Sequence, residues 1–322
     1  MLVVRLGSMG DVIHALPAVA SLKHSFPGSE LWWLINQRWS ALLEGNPFVD
    51  RIVRLESRRL PKLVELIGRL RRARFRLAVD FQGLIQSALL ATLARPDELY
   101  GFHQSQTREK LAAIFYSRKT RVRSEHVVER NLELAAAAGA NNVLCTFPLP
   151  EGAPEGELPE GPFVLASPLA GWPYKQWPLE YYALLGRLLK LRLRLPLVVC
   201  GPPAAAELLS PLDNVRVLLT GIPGLIYATR RATAVVGVDS GPLHLAAALG
   251  KPGVAIYGPT DPARNGPYGG NFTVVRSPEA VTTYRRRREI SPWMRAVSPE
   301  TVLEALAARL EPGEAGERRR PG

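Results

Sequence analysis

The sequence AVVGVDSGPLHLAAALGKPGVAIYGPTDP, residues 234–262, predicts a strand, a turn, a helix and a second strand. Its first five residues are mostly valine, as expected of a strand that is buried on both faces. Pro242 suits the first turn of a helix, where its missing N–H costs nothing, and Gly250 suits the end of that helix. The pattern therefore predicts a helix whose N-terminus lies at the carboxyl end of a parallel strand.

The start of this helix, at Asp239, Ser240 and Gly241, offers backbone N–H groups of the kind that bind phosphate. A plain strand-to-helix turn has the same spacing, and such turns are common. Spacing alone therefore leaves two interpretations open, a phosphate site and an ordinary turn.

The composition limits the possible classes of protein. The chain has 322 residues, of which 47% are hydrophobic, and this length favours two domains. Cys145 and Cys200 provide neither a disulfide framework nor a metal pattern, which favours a reducing compartment. No run approaches the ~18 apolar residues of a membrane span, and the apolar start is too short for a signal peptide. The formal net charge of +12 indicates an anionic partner such as a nucleic acid, an anionic lipid or a phosphorylated glycan.

Both halves of the chain alternate predicted strands with helices, which predicts an α/β fold of two doubly wound, Rossmann-like domains. A linker is predicted at residues 146–162, which are rich in proline, glycine and glutamate. We expect an N-terminal domain over residues 1–150, a C-terminal domain over 151–310 and a disordered tail over 311–322. Beyond the opening unit, the predicted strands cover residues 2–6, 31–35, 51–55, 77–81, 98–102, 163–167, 197–200, 215–219 and 272–276.

The N-terminal segment RLGSMGD places an acid directly after a glycine-containing turn. Residues 2–6 predict a strand, and Asp11 stands at the head of an amphipathic helix. The acid could serve only as a favourable charge at a helix N-terminus beside a tight turn. From the residues alone this interpretation stays open beside a catalytic one.

Residues 54–76 hold nine Arg or Lys residues against two Glu. Apolar residues recur at helical spacing within this segment, so most of the charge is expected on one solvated face. The segment is then either an ordinary solvated helix face or a positive patch that faces a membrane or an acidic acceptor.

Several motifs together resemble one known family. DSGPLHLAAALGKP followed by YGPTDP, together with RLGSMGDVIHALPA, is similar to the ADP-heptose glycosyltransferases of lipopolysaccharide core synthesis. VDFQGLIQSALLA, TREKLAAIFYSRK and HVVERNLELA resemble the heptosyltransferase I branch in particular. The likeness covers nearly the whole chain, with the motifs in order.

This resemblance implies a GT-B glycosyltransferase fold, in which two Rossmann-like domains face a cleft. It implies an inverting transfer of heptose from ADP-heptose to Kdo of a Kdo–lipid A precursor, in lipopolysaccharide inner-core synthesis. The N-terminal domain would bind the acceptor and the C-terminal domain the nucleotide sugar. The enzyme would be cytoplasmic, in peripheral contact with the anionic inner face of the bacterial inner membrane.

The resemblance also implies roles for individual residues. Asp11 matches the general base, and Lys175, before Trp-Pro, matches a lysine that contacts phosphate. The loop at 169–173 departs from the commoner polar version, which removes hydroxyl contacts present in relatives. The residues expected to bind the donor are Lys175, Glu207, Asp239, Ser240, Gly241 and His244. The residues expected to bind the acceptor are Gly10, Arg58, Arg59, Gln82 and Arg108.

We expect neither a metal nor a cofactor, because no two aspartates are separated by a single residue and the His and Cys spacings offer no zinc set. Three other functions remain open. A sister heptosyltransferase that adds to heptose would share every donor motif, and a nucleotide-sugar epimerase of similar fold would need no acceptor. A nucleic-acid-binding module would use the positive charge, although no RNA-binding signature is present.

Overall fold

The computed structural model describes residues 1–57 and 59–311. Arg58, an expected acceptor residue, and nearly all of the predicted tail therefore lie outside the described residues. The chain divides into two compact units, Met1–Pro150 and a second unit that begins at Glu151.

The first unit is a six-stranded parallel sheet with the order β3-β2-β1-β4-β5-β6. Its strands are β1 Leu2–Val4, β2 Trp32–Asn36, β3 Arg51–Leu55, β4 Leu77–Asp80, β5 Glu98–Phe102 and β6 Arg118–Thr120. Its α-helices are α1 Met9–Ser25, α2 Leu60–Arg72, α3 Ile85–Leu93 and α4 Val127–Ala137. Two 3₁₀ segments cover Gln37–Leu43 and Lys110–Phe115.

The second unit repeats this architecture with the order β12-β11-β10-β7-β8-β9. Its strands are β7 Val164–Ser167, β8 Leu197–Gly201, β9 Arg216–Leu219, β10 Ala234–Val238, β11 Gly253–Tyr257 and β12 Phe272–Arg276. Its α-helices are α5 Leu179–Arg192, α6 Ala206–Leu209, α7 Ile222–Arg231, α8 Gly241–Ala248, α9 Pro262–Asn265, α10 Pro292–Arg295 and α11 Pro299–Leu310. Short 3₁₀ turns cover Pro173–Lys175 and Pro203–Ala205.

Each sheet reverses its strand order beside its first strand. In the first unit β1 lies between β2 and β4, and in the second unit β7 lies between β8 and β10. Ligands of doubly wound folds bind outside the carboxyl ends of the strands at such a reversal. The segments after β1, β4, β7 and β10 are therefore the places to look for a site.

The cores explain why these strands form. The central strands are buried along their whole length, including Leu2–Val4 and Ala234–Val238. Helices cover the faces of each sheet, and α2 shows why a charged sequence still folds: it buries Leu66 and Leu70 while its Arg and Lys side chains stay exposed. The expectation that most of this charge lies on a solvated face is confirmed for this helix, and both interpretations of that face stay predictions.

The strands that were predicted are present, with ends that coincide or differ by at most two residues. The sequence pattern missed β6, because its residues Arg118–Thr120 read RKT and carry no apolar signal. Along the described chain, no helix combines the length and the apolar character that a membrane span requires.

Candidate active site

Asp11 lies in the first turn of α1, directly after the turn that follows β1. Its Oδ2 accepts hydrogen bonds from the backbone N–H of Ser8 (2.9 Å) and from the Ser8 hydroxyl (3.0 Å). Its Oδ1 lies 2.6 Å from a guanidinium nitrogen of Arg5. The side chain keeps 25% of its surface exposed, so the carboxylate is held in place and still reachable.

Arg5 is the fixed partner of this carboxylate. The side chain is buried, and its guanidinium also donates to the carbonyl of Phe81 at the end of β4. The Trp33 indole donates to the Arg5 carbonyl at 3.2 Å, which anchors the backbone at the same point. A buried arginine that is held on two sides can move little, so it fixes the position of Asp11.

The surroundings of Asp11 favour its ionised form. Burial alone would raise the pKa of Asp11, but the charge of Arg5, the hydrogen bonds from Ser8 and the charge of Arg108 hold it below its ordinary value. Asp11 is therefore a carboxylate at neutral pH and can accept a proton.

Two other expected acceptor residues lie in the same neighbourhood. The exposed guanidinium of Arg108 is 4.0 Å from Oδ2 of Asp11. The buried Gln82 carbonyl oxygen accepts from the backbone N–H of Leu6 at 2.9 Å and of Gly7 at 3.3 Å. Gln82 thus holds the turn that carries Asp11, in addition to any contact with substrate.

Gly7 and Gly10 differ in what they do in this turn. Gly7 has a φ of 152°, and a Cβ there would meet the Trp39 indole nitrogen at 2.6 Å, so only glycine fits. Gly10 is buried in the first turn of α1.

Arg59, the residue before α2, is exposed at the start of that helix.

The second cluster joins the segments that follow β7 and β10. Lys175 Nζ lies 2.9 Å from Asp239 Oδ2, and His244 Nε2 lies 3.5 Å from Asp239 Oδ1. The Lys175 ammonium also lies 5.1 Å from the centroid of the Trp172 ring. The loop that carries Lys175 is anchored by the buried Trp177, whose indole donates to the Val297 carbonyl at 2.9 Å.

Asp239 is a stable carboxylate in this cluster. Burial alone would raise the pKa of Asp239, yet its contact with His244 and the charge of Lys175 hold it far below its ordinary value. Tyr257 packs nearby in the sheet, and burial together with the Asp239 charge raises the pKa of its hydroxyl well above the ordinary value. The cluster therefore presents a fixed ion pair.

Unsatisfied donors lie in the segments that follow β10 and β11. Gly241 begins α8, whose first N–H groups have no acceptor within the helix. The buried hydroxyls of Ser240 and Thr260 make no hydrogen bond to any residue that the structure describes. Buried hydroxyls are normally paired, so these two indicate a ligand with acceptor oxygens.

Known proteins resemble this chain over most of its length. A family model described as glycosyltransferase family 9 (heptosyltransferase) matches residues 63–294. The chain belongs to this family. The lipopolysaccharide heptosyltransferase 1 of Pseudomonas aeruginosa is 31% identical in an alignment of length 297, gaps included, that covers 84% of this chain and 81% of that protein. The enzyme of the same name from Escherichia coli K12 is 31% identical in an alignment of length 310, gaps included, that covers 86% of this chain and 93% of that protein.

A solved structure of E. coli heptosyltransferase WaaC with ADP superposes with a TM-score of 0.76 at 27% identity, covering 96% of this chain and 99% of that one. A second structure of the same enzyme, with ADP-2-deoxy-2-fluoro heptose, gives a TM-score of 0.75 at 26% identity. The predictions of the family, the GT-B type α/β fold and a glycosyltransferase are confirmed.

Not every expected residue of this family 9 glycosyltransferase joins a cluster. Glu207 lies on the four-residue helix α6 and is exposed, and its side chain makes no hydrogen bond or ion pair with another described residue. No group of three or more His, Cys, Asp or Glu side chains in residues 1–57 and 59–311 is arranged to hold a metal ion.

Sequence reasoning missed the buried polar groups around Asp80. Asp80, at the end of β4, is fully buried and accepts from the Tyr116 hydroxyl at 2.7 Å, the Ser87 hydroxyl at 2.8 Å and the Gln82 N–H at 2.8 Å. Burial raises the pKa of Asp80 above its ordinary value, although these hydrogen bonds act to lower it. The available signals were an acid inside the predicted strand 77–81 and a positive charge, Arg5, inside the apolar run of residues 2–6.

Proposed function

We propose that this glycosyltransferase moves heptose from ADP-heptose to Kdo of a Kdo–lipid A acceptor in lipopolysaccharide inner-core synthesis, with inversion at the anomeric carbon. The observation that carries the proposal is the Lys175–Asp239 pair beside the start of α8. Two relatives named lipopolysaccharide heptosyltransferase 1, and a WaaC structure with ADP, support it.

The second unit binds the nucleotide sugar. The Lys175 ammonium has three N–H bonds, of which one is directed to Asp239. The other two are available to the diphosphate, together with the first N–H groups of α8 and the hydroxyls of Ser240 and Thr260. These fixed donors stabilise the charge that develops on the leaving ADP.

The first unit binds the acceptor and activates it. The acceptor hydroxyl attacks the anomeric carbon of heptose as the bond from that carbon to the diphosphate oxygen breaks. Asp11 takes the hydroxyl proton as the new bond forms, and ADP leaves with the electron pair of the broken bond. Arg5 keeps the carboxylate oriented throughout, so Asp11 needs no rearrangement before it reacts.

Arg108 binds an anionic group of the acceptor. Its exposed guanidinium lies beside Asp11, and arginine forks onto carboxylates such as that of Kdo. Arg59 adds a second cation at the start of α2, where the exposed Arg and Lys side chains also face the anionic cytoplasmic side of the inner membrane.

The test is a three-arm assay with purified protein and ADP-heptose. The arms contain Kdo–lipid A, an acceptor that already carries heptose, or no acceptor, and ADP release is measured with the product mass. We expect ADP release and the addition of one heptose in the first arm. Turnover confined to the second arm indicates a sister heptosyltransferase, and donor consumption in the third arm indicates an epimerase or a hydrolase.

A further inference from the structure

Four large apolar side chains are exposed on two adjoining elements of the first unit. They are Ile85 and Leu89 on α3, and Leu111 and Ile114 in the 3₁₀ segment Lys110–Phe115. Leu111 and Ile114 leave 60% and 71% of their surface in solvent. We call these four residues the Leu111 surface.

The spacing within each pair places its two members on one face. Residues four apart lie on the same side of an α-helix, and residues three apart lie on the same side of a 3₁₀ helix. The two elements pack against each other, and small alanines fill the core between them and the sheet. These alanines are Ala88, Ala91, Ala112 and Ala113. α3 also buries Leu90 in this core, and Phe115 packs against it, whereas the four large apolar side chains of the Leu111 surface stay exposed to solvent. An ordinary surface helix keeps polar residues on its solvent-facing side.

Positive charge borders this surface. Arg108 is exposed in the loop that leads into the 3₁₀ segment, and Lys110 is exposed as the first residue of that segment. α2 packs against α3 and starts with the same combination, because Leu60 and Val64 are exposed beside Lys62. Exposed apolar side chains flanked by cations are the pattern of a surface that lies on an anionic bilayer.

The Leu111 surface is tied to the segment that carries Arg108. The Glu109 carboxylate accepts from the backbone N–H of Ile85 at 2.7 Å, and the Glu109 N–H donates to the Gly83 carbonyl at 3.0 Å. Arg108, the residue before Glu109, reaches to 4.0 Å from Asp11. Leu111 and Ile114 therefore follow Arg108 closely in the chain, and the hydrogen bonds of Glu109 join the start of α3, with Ile85, to the same segment.

We propose that the Leu111 surface inserts into the headgroup and acyl boundary of an anionic lipid bilayer. Inserted there, it holds Asp11 at the membrane surface, so that the sugar of a lipid-linked acceptor reaches the base while its acyl chains stay in the bilayer. Only the identity of that acceptor rests on the function proposed above. Attraction by the basic face of α2 brings the protein to the membrane, and the apolar side chains give binding that salt does not remove.

The test uses the full chain with Leu111→Ser and Ile114→Ser combined. A matched control changes Leu191 and Leu208 to serine, two comparably exposed leucines of the second unit. Each protein is sedimented with phosphatidylcholine vesicles that contain or lack phosphatidylglycerol, at low and high salt. We expect binding of the test variant to the anionic vesicles to be about 10- to 30-fold weaker, with its salt-resistant part lost, and the control to bind like the wild type.

Activity and oligomeric state complete the test. We expect the variant to glycosylate an acyl-free acceptor like the wild type and to lose rate on acceptor embedded in vesicles. The proposal is overturned if the substitutions leave vesicle binding unchanged. It is also overturned if the wild type is a dimer and the substituted protein is a monomer, because the Leu111 surface would then join two copies of the chain. Inactivity of the wild type on every acceptor contradicts the proposed function instead and leaves the vesicle result to be judged separately.

Discussion

The Lys175 ammonium and the Asp239 carboxylate lie 2.9 Å apart although 64 residues separate them in the chain. Their side chains are only 12% and 10% exposed. The two residues follow β7 and β10, which are neighbours in the sheet at the point where its strand order reverses. The fold thus fixes a cation in advance beside the start of α8, where a diphosphate would bind.

Replacement of Lys175 by alanine tests this preorganised charge. We expect kcat/KM for ADP-heptose to fall by about 30- to 1,000-fold, which corresponds to about 2–4 kcal/mol of lost transition-state stabilisation. Lys190→Ala is the matched control, because Lys190 is an exposed lysine of the same unit on α5. An unchanged kcat/KM in Lys175→Ala would remove this lysine from the site.

The Asp239 carboxylate should also make stability depend on pH. Its pKa is lower in the folded chain than in the unfolded chain, so the unfolded state binds more protons as the pH drops below about 4. The contribution of Asp239 is complete above its unfolded pKa and is lost as the pH falls toward its folded pKa. We expect Asp239→Asn to be less stable than the wild type at pH 7 and to lose less stability on acidification. Denaturant titrations at several pH values measure this, and parallel curves for the two proteins would contradict it.

Asp11→Asn tests the base. An amide cannot take a proton from the acceptor hydroxyl, so we expect kcat to fall by about 10²- to 10⁴-fold at saturating donor and acceptor. The substitution also leaves the buried Arg5 without its ion pair, so we expect a lower unfolding temperature.

A double variant separates these two effects. Arg5→Met combined with Asp11→Asn removes the unpaired charge, so we expect it to regain part of the stability and none of the activity. If Asp11→Asn turns over within a few-fold of the wild type, Asp11 serves as a helix-start residue and another group is the base.

Turnover should survive chelation. Lys175, the start of α8 and two buried hydroxyls provide for the charge of the diphosphate, and the sequence lacks an aspartate pair of the D-x-D type. We expect initial rates in excess EDTA to equal those in its absence. Loss of activity that magnesium or manganese restores would show that a metal ion takes part.

The basic face of α2 should contribute to membrane attraction by charge alone. We expect Arg59→Gln and Arg72→Gln each to weaken binding to anionic vesicles by about 1 kcal/mol at low salt, and to have little effect once salt screens the charges. Arg216→Gln, an exposed arginine at the start of β9, serves as the control. Equal binding by all of these proteins at low salt would return α2 to the role of an ordinary solvated helix.

Local patterns made much of the fold and part of the site predictable. The valine run at Ala234–Val238 and the glycine-rich turn before Asp11 carry their structural meaning within a few residues, because strand burial and helix starts are local properties. The edge strand β6 was missed for the same reason, since a short polar strand at the edge of a sheet carries no local signal. Glu207, carried over by resemblance, remains a prediction on an exposed four-residue helix.

The sequence by itself determined the family, the βα rhythm of both halves, and Asp11 and Lys175 as candidates. Only the tertiary structure decided which charges meet. Arg5 forms an ion pair with Asp11, and the Tyr116 hydroxyl donates to Asp80, which lies 36 residues away in the chain. Leu111 and Ile114 remain exposed to solvent, while the neighbouring Ala112 and Ala113 are buried in the core. The physical reason is that ion pairing and burial depend on which strands are neighbours in the sheet, and strand order is a property of the whole chain that no local pattern contains.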